Sequence, residues 1–209
     1  MKGYRIYIFL AFMLLSGLGK SAAQTDGLLD RLYGRFASSC IDLEYTYATR
    51  MSGVRIEGSG RLHVQDDMWH NVGNGIEIWC DGSTVWTVDP LSEEVIIEPV
   101  SGDDSEGLLN PALLFVRMNE HFNVSRTLGG SDGKTVIYVL EPKENMDIEY
   151  FNVELMASDA SIRSGLMAME DGNEVKISVA SMKAVEKKPA TFFRPSQTFG
   201  NSWIVTDLR

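Results

Sequence analysis

The spacing of apolar residues changes twice along the chain. Leu28, Leu29, Leu32 and Phe36 recur at helical intervals, and Asp26 is a candidate N-cap, which predicts a helix over residues 26–39. From Cys40 the period becomes two. Ile41, Leu43, Tyr45 and Tyr47 alternate with Asp42, Glu44 and Thr46, as in a half-buried strand. A second strand carries Ile56, Leu62 and Val64 on one face, with Gly58 and Gly60 on that same face, where glycine permits curvature or close approach. Short strands follow at Met68–Val72, Ile76–Cys80, Thr84–Val88 and Glu94–Glu98, separated by Gly73-Asn74-Gly75, Asp81-Gly82 and Asp89-Pro90. An acidic loop, Gly102–Gly107, interrupts them. Asn110 and Pro111 then suit the cap and first turn of a second helix, whose residues Leu113, Leu114, Phe115, Val116 and Met118 make it apolar nearly all round. Such a helix must be covered, or must itself cover an apolar space. Strands resume at Phe122–Leu128, Thr135–Leu140, Ile148–Ala157, Ser161–Met169, Glu174–Met182 and Trp203–Leu208. Many short antiparallel strands joined by tight turns predict one mainly β domain, a barrel or strongly curved sheet.

The first 23 residues read differently. Lys2 and Arg5 precede a mostly apolar run, Ile6–Leu18, and Ser21-Ala22-Ala23 supplies the small residues of a cleavage site. The run is too short to span a bilayer comfortably. A signal peptide cleaved after Ala23 is therefore expected, leaving residues 24–209 as one exported domain. Without Lys2, Arg5 and Lys20, 16 basic residues face 29 acidic ones, a net charge of −13. That balance argues against nucleic acid and against resting on an anionic membrane. For Cys40 and Cys80 two readings stand: a disulfide formed in an oxidising compartment, or two small buried apolar residues.

Catalytic and metal signatures are sparse. His63, His70 and His121 lack ligand spacing, and no metal site is expected. Asp103, Asp104 and Glu106 do not follow a calcium-loop spacing. No nucleophile elbow or phosphate loop occurs, and Ser131-Asp132-Gly133-Lys134 reads as a hairpin turn. No enzyme and no cofactor are expected. What stands out is apolar: Trp69, Trp79, Trp86 and Trp203 in strands, and Met156, Met167, Met169 and Met182 late in the chain. Methionine suits pockets that repack around variable apolar ligands.

Several segments resemble the LolA family of periplasmic lipoprotein carriers. EGSGRLHV (Glu57–Val64) is similar to its G-x-L-x-V strand, and DGSTVWTVDPLSEEV (Asp81–Val95) to its W-x-Y-x-P hairpin. The Asn-Pro start of the apolar helix and TFFRPSQ (Thr191–Gln197), similar to an F-x-F-x-P ending, follow in order. The resemblance implies an unclosed antiparallel β-barrel of about eleven strands, with helices over its concave apolar face. It further implies a monomeric periplasmic carrier of lipoprotein acyl chains, loaded by an inner-membrane release complex and unloaded to an outer-membrane acceptor. An amphiphile-binding sensor or adaptor is the alternative. The cavity and lid residues expected on this view are Leu43, Tyr45, Tyr47, Leu62, Val64, Met68, Trp86, Leu113, Leu114, Met118, Met167 and Met169. One element departs from the family. A basic residue and proline usually follow the G-x-L-x-V strand, and this chain has Gln65-Asp66-Asp67 there.

Overall fold

A computed structural model describes residues 22–51, 54–100, 114–143 and 147–209. Residues 1–21 of the expected signal peptide, the acidic loop, Leu113 and the Asn-Pro helix start lie outside these residues, and Ala22 and Ala23 fall in the first helix. Helix α1 (Ala22–Ser38) leads into β1 (Cys40–Met51), β2 (Val54–Gln65), β3 (Met68–Gly73), β4 (Ile76–Cys80), β5 (Thr84–Asp89) and β6 (Glu94–Pro99). Helix α2 (Leu114–His121) precedes β7 (Phe122–Gly129), β8 (Thr135–Pro142), β9 (Ile148–Met156), β10 (Ile162–Met169) and β11 (Glu174–Val185). A 3-10 turn (Ala190–Phe193) and β12 (Ile204–Asp207) end the chain.

Twelve strands form one sheet in the order β12-β6-β5-β4-β3-β2-β1-β11-β10-β9-β8-β7. It consists of two meanders, β1–β6 and β7–β11, joined where β1 pairs antiparallel with β11. The free strands β7 and β12 leave the barrel unclosed. This is the predicted architecture, with one strand beyond the expected eleven and one exception to its antiparallel pairing: β12 runs parallel to β6.

The inner face is the one the helices cover. Leu28, Leu29, Leu32 and Phe36 of α1 and Leu114, Phe115 and Met118 of α2 share a buried cluster with side chains of β1, β2 and β7–β11. Alternation dictates the membership. In β1, Ile41, Leu43 and Tyr45 are buried while Glu44 and Thr46 are exposed. The outer face carries a second, smaller cluster of Trp79, Val88, Val95 and Ile97, packed by Trp86, Phe199 and Trp203.

Both cysteines are buried, and neither is in a disulfide. Cys40 opens β1 and Cys80 ends β4, three strands away. Strands lie about 4.8 Å apart, so the separation is far beyond disulfide reach. The second of the two cysteine readings is the one realised. Burial pushes the Cys40 thiol up, which keeps it protonated.

Candidate functional site

Tyrosines on glycines shape the inner wall at one end of the sheet. Tyr45 lies directly opposite Gly60, and Tyr47 opposite Gly58. A Cβ on Gly60 would meet the Tyr45 hydroxyl at 2.7 Å, and one on Gly58 the Tyr47 ring at 2.6 Å. The rings therefore lie flat across β2. The Tyr45 hydroxyl donates to Asn71 Oδ1 at 2.9 Å, and Asn74 Nδ2 donates to the Tyr47 hydroxyl at 2.6 Å. Burial raises the Tyr45 phenol, with the Asn71 hydrogen bond opposing it. The close approach inferred for these glycines is thus filled by this chain's own aromatic rings. Beside Tyr47 a surface groove of about 500 Å³ opens between Arg55, Glu57, Asn74 and Lys176.

The second helix presses on the other half of the inner wall. Phe115 is wholly buried, Met118 1% exposed and Leu114 4% exposed. The Phe115 and Phe151 ring centroids stand 5.7 Å apart, and Phe151 also meets Phe122 at 5.7 Å. Phe115 reaches the sheet because β10 has Gly165 beneath it. A Cβ there would stand 2.8 Å from Phe115 and 2.9 Å from Phe151. Each element supplies a part: aromatic filling from α2, β7 and β9, and a gap in β10.

Most of the expected lining residues meet here. Leu43, Tyr45, Leu62, Val64, Leu114, Met118 and Met167 belong to the inner cluster, and Tyr47 and Met169 pack against it. Leu113 lies outside the described residues. Two differ. Trp86 pairs with Trp79 across β4 and β5 and packs in the outer cluster. Met68 shares strand parity with His70, which pairs with that same Trp79. Both therefore face outward. Trp69, the intervening residue, packs against the inner cluster instead. Phe115, Phe151 and Gly165 were missed. Strand alternation could have suggested Phe151, but nothing local marks Gly165 as a seat for a helix.

The outer face is built around histidine and tryptophan. His63 and His70 stack at 6.2 Å, and His70 stacks on Trp79 at 4.7 Å. Phe192 stands edge-on to both imidazoles, at 5.2 Å from His63 and 6.0 Å from His70. Both ring nitrogens of His70 are buried without a hydrogen bond, Glu77 Oε2 lying 3.6 Å away. Burial lowers the affinity of both imidazoles for a proton, more than the attractions of Glu77 and Asp42 raise it.

A strap from the C-terminal segment closes over this stack. Gln65 Nε2 donates to the Lys188 carbonyl at 3.1 Å, and the Lys188 N–H donates to Gln65 Oε1 at 2.7 Å. Lys187 Nζ pairs with Asp66 at 3.0 Å. Arg194 Nε reaches Asp81 Oδ2 at 2.7 Å, while Asp81 Oδ1 accepts from Ser83 and Thr84 in the Asp81-Gly82 turn. Gln65-Asp66, where the resembled family has its basic-proline element, thus anchors the tail. Among the described residues, no group of three or more His, Cys, Asp or Glu could hold a metal ion. None of their helices is long and apolar enough to cross a membrane.

Solved structures share this architecture. An uncharacterized conserved protein from Thermus thermophilus matches at a TM-score of 0.54 and 11% identity, over 88% of this chain and 98% of its own. A LolA superfamily protein from Nitrosomonas europaea matches at 0.47 and 10%, over 81% and 97%. A putative outer membrane lipoprotein-sorting protein domain from Vibrio parahaemolyticus matches at 0.44 and 10%, over 82% and 94%. At 11% identity the likeness to the Thermus protein is one of fold alone. No family model matches the chain. No curated protein matches it in sequence.

Proposed function

We propose that the protein is a non-catalytic carrier of lipidated proteins in the cell envelope, holding acyl chains against the inner face of its sheet. The observation that carries this reading is the helix α2. Three of its side chains, Leu114, Phe115 and Met118, plug an apolar wall of aromatic and methionine residues over β7, β9 and β10, in the half of the sheet that ends at the free strand β7. Acyl chains entering there would replace these side chains and keep the wall dry. Each methylene removed from water is worth roughly 0.8 kcal/mol. That is enough over a lipoprotein's acyl chains to make unaided passage through water prohibitive. Displacing α2 uncovers three buried side chains, a loss that the entering acyl chains offset by covering the same wall. The motif resemblance supports the same reading, and it implies loading at an inner membrane and delivery to an outer one.

The second reading, an adaptor that binds an amphiphile and signals to a protein, is favoured by the filled state of the inner wall around α2. One assay separates them. Membrane vesicles bearing a triacylated lipoprotein and its export machinery are incubated with the purified protein and sedimented. Lipoprotein in the supernatant, bound to this chain, is the carrier outcome. Uptake of a fluorescent fatty acid without lipoprotein release turns the reading to the adaptor, and neither activity sinks both. Leu114→Asp, which drives a charge into the apolar contact of α2, is expected to weaken fatty-acid uptake at least tenfold. Unchanged uptake by a folded variant removes α2 from the site.

A further inference from the structure

We propose that the free edge of β12 is a docking edge for an extended, basic and apolar segment of a protein partner. In a parallel ladder the N–H and C=O of one residue point to the same side, and successive residues alternate sides. Ile204 N–H bonds to the Glu93 carbonyl and Leu208 N–H to the Ile97 carbonyl, both at 2.8 Å. Ile204, Thr206 and Leu208 therefore face β6. Val205 and Asp207 present their backbone groups outward, and no further strand pairs with them among the described residues.

The side chains agree with the backbone. Ile204 is 61% exposed, Val205 48% and Leu208 58%. Ile204 and Val205 point to opposite faces of the sheet, so neither face of the strand is covered. Protein edges are normally protected by lysine, proline, bulges or twist. The other edge, β7, has such devices: Arg126 and an irregular register between Val124 and Arg126. β12 is short, four residues, and its charge sits at its end in Asp207, which leaves Ile204, Val205 and Thr206 without lysine, proline or bulge, and the pairing with β6 is regular. The strand is also held firm. Trp203 immediately before it packs with Phe199, ring centroids 5.1 Å apart, in the outer cluster. Such a rigid, apolar, unpaired edge is suited to strand addition.

Charge selects the occupant. Glu93, Glu94 and Glu98 belong to β6 or the turn before it, Asp207 to β12 itself, and the Asp207 carboxylate is matched only by Arg209 at 2.7 Å. The glutamates lie one strand in from the edge and Asp207 on it, so basic polar positions are favoured on a strand added here. The chain's formal charge of −10 disfavours a second copy and an anionic bilayer alike.

The test uses a labelled eight-residue peptide alternating valine and lysine, with anisotropy read against the purified protein. Val205→Pro removes an outward N–H without touching the ladder to β6, and is expected to weaken binding at least tenfold while leaving thermal unfolding nearly unchanged. The double variant E93K/E94K is expected to weaken binding by a similar factor and to flatten its salt dependence. It keeps the test decisive if Val205→Pro does not fold. Equal binding by both folded variants overturns the proposal, as does equal binding of a valine–glutamate peptide. A dimer that Val205→Pro dissociates, or co-sedimentation with anionic vesicles that it abolishes, also overturns it and assigns the edge to a second copy or a membrane.

Discussion

His70 is a buried imidazole that must stay neutral to remain where it is. Its stack on Trp79 and its contact with Phe192 leave neither ring nitrogen a hydrogen bond. Glu77 and His63 face it directly, and around His63 stand Asp42, Arg61 and Lys188. A histidine whose proton affinity falls on folding takes up a proton when the chain unfolds. Stability from it is intact above the unfolded value of about 6.5 and is lost as the pH drops through the lower folded value. The slope is at most about 1.4 kcal/mol per pH unit for each such proton. His70→Phe is expected to flatten the decline below pH 6.5 in denaturant titrations. An unaltered slope would assign the acid sensitivity to other groups. Gly165 is the second critical residue. Alanine there collides with Phe115 and Phe151, and a crowded core typically costs about 1–3 kcal/mol. Gly165→Ala should lose that much by urea titration. No loss would mean that α2 shifts freely on the sheet.

At the scale of elements, the tail depends on a few polar clamps. Gln65 both donates to and accepts from the backbone of Lys188. Gln65→Ala leaves a part-buried N–H and carbonyl without partners, at a cost of roughly 1–3 kcal/mol. Faster hydrogen exchange is expected across residues 187–194, with the inner cluster unaffected. Uniform exchange change would show the tail to be part of the cooperative core. The elements themselves were legible in the sequence. Ile76–Cys80 was placed to the residue, and most other strands within one or two residues. Facing was legible only where one side of a strand is polar. β1 sets Asp42, Glu44 and Thr46 against Ile41, Leu43 and Tyr45, and its inner side was read correctly. In β3 and β5 apolar residues do not keep to the inner side, because the tail covers the outer face: Met68, Val72, Trp86 and Val88 point outward while Asn71 and Thr87 point inward. Periodicity there says nothing about which side faces the helices, and Met68 and Trp86 were placed on the wrong one. The seat at Gly165 depends on a contact between α2 and β10, separated by three strands of chain, and no local pattern encodes such a pair.

For the whole molecule, one sheet serves two faces: an inner wall plugged by helices and an outer wall bound by its own tail. The inner apolar surface is covered by α1 and α2 and the outer one by the strap, which leaves scattered apolar exposure, the β12 edge among it. A monomer is therefore expected by light scattering, and its mass should not change with concentration. The pairing of β1 with β11 has a consequence in time. Cys40 pairs with Val185 and Arg50 with Glu174, so the first strand made waits for nearly the last. Until then the β1–β6 meander displays the unmatched side of Leu43 and Leu62 to water. Such distant pairing slows refolding toward the range of milliseconds to seconds. During synthesis, the chain must be kept from aggregating through most of its own length, and a fragment ending before β11 would be stranded with half a wall and no partner for it.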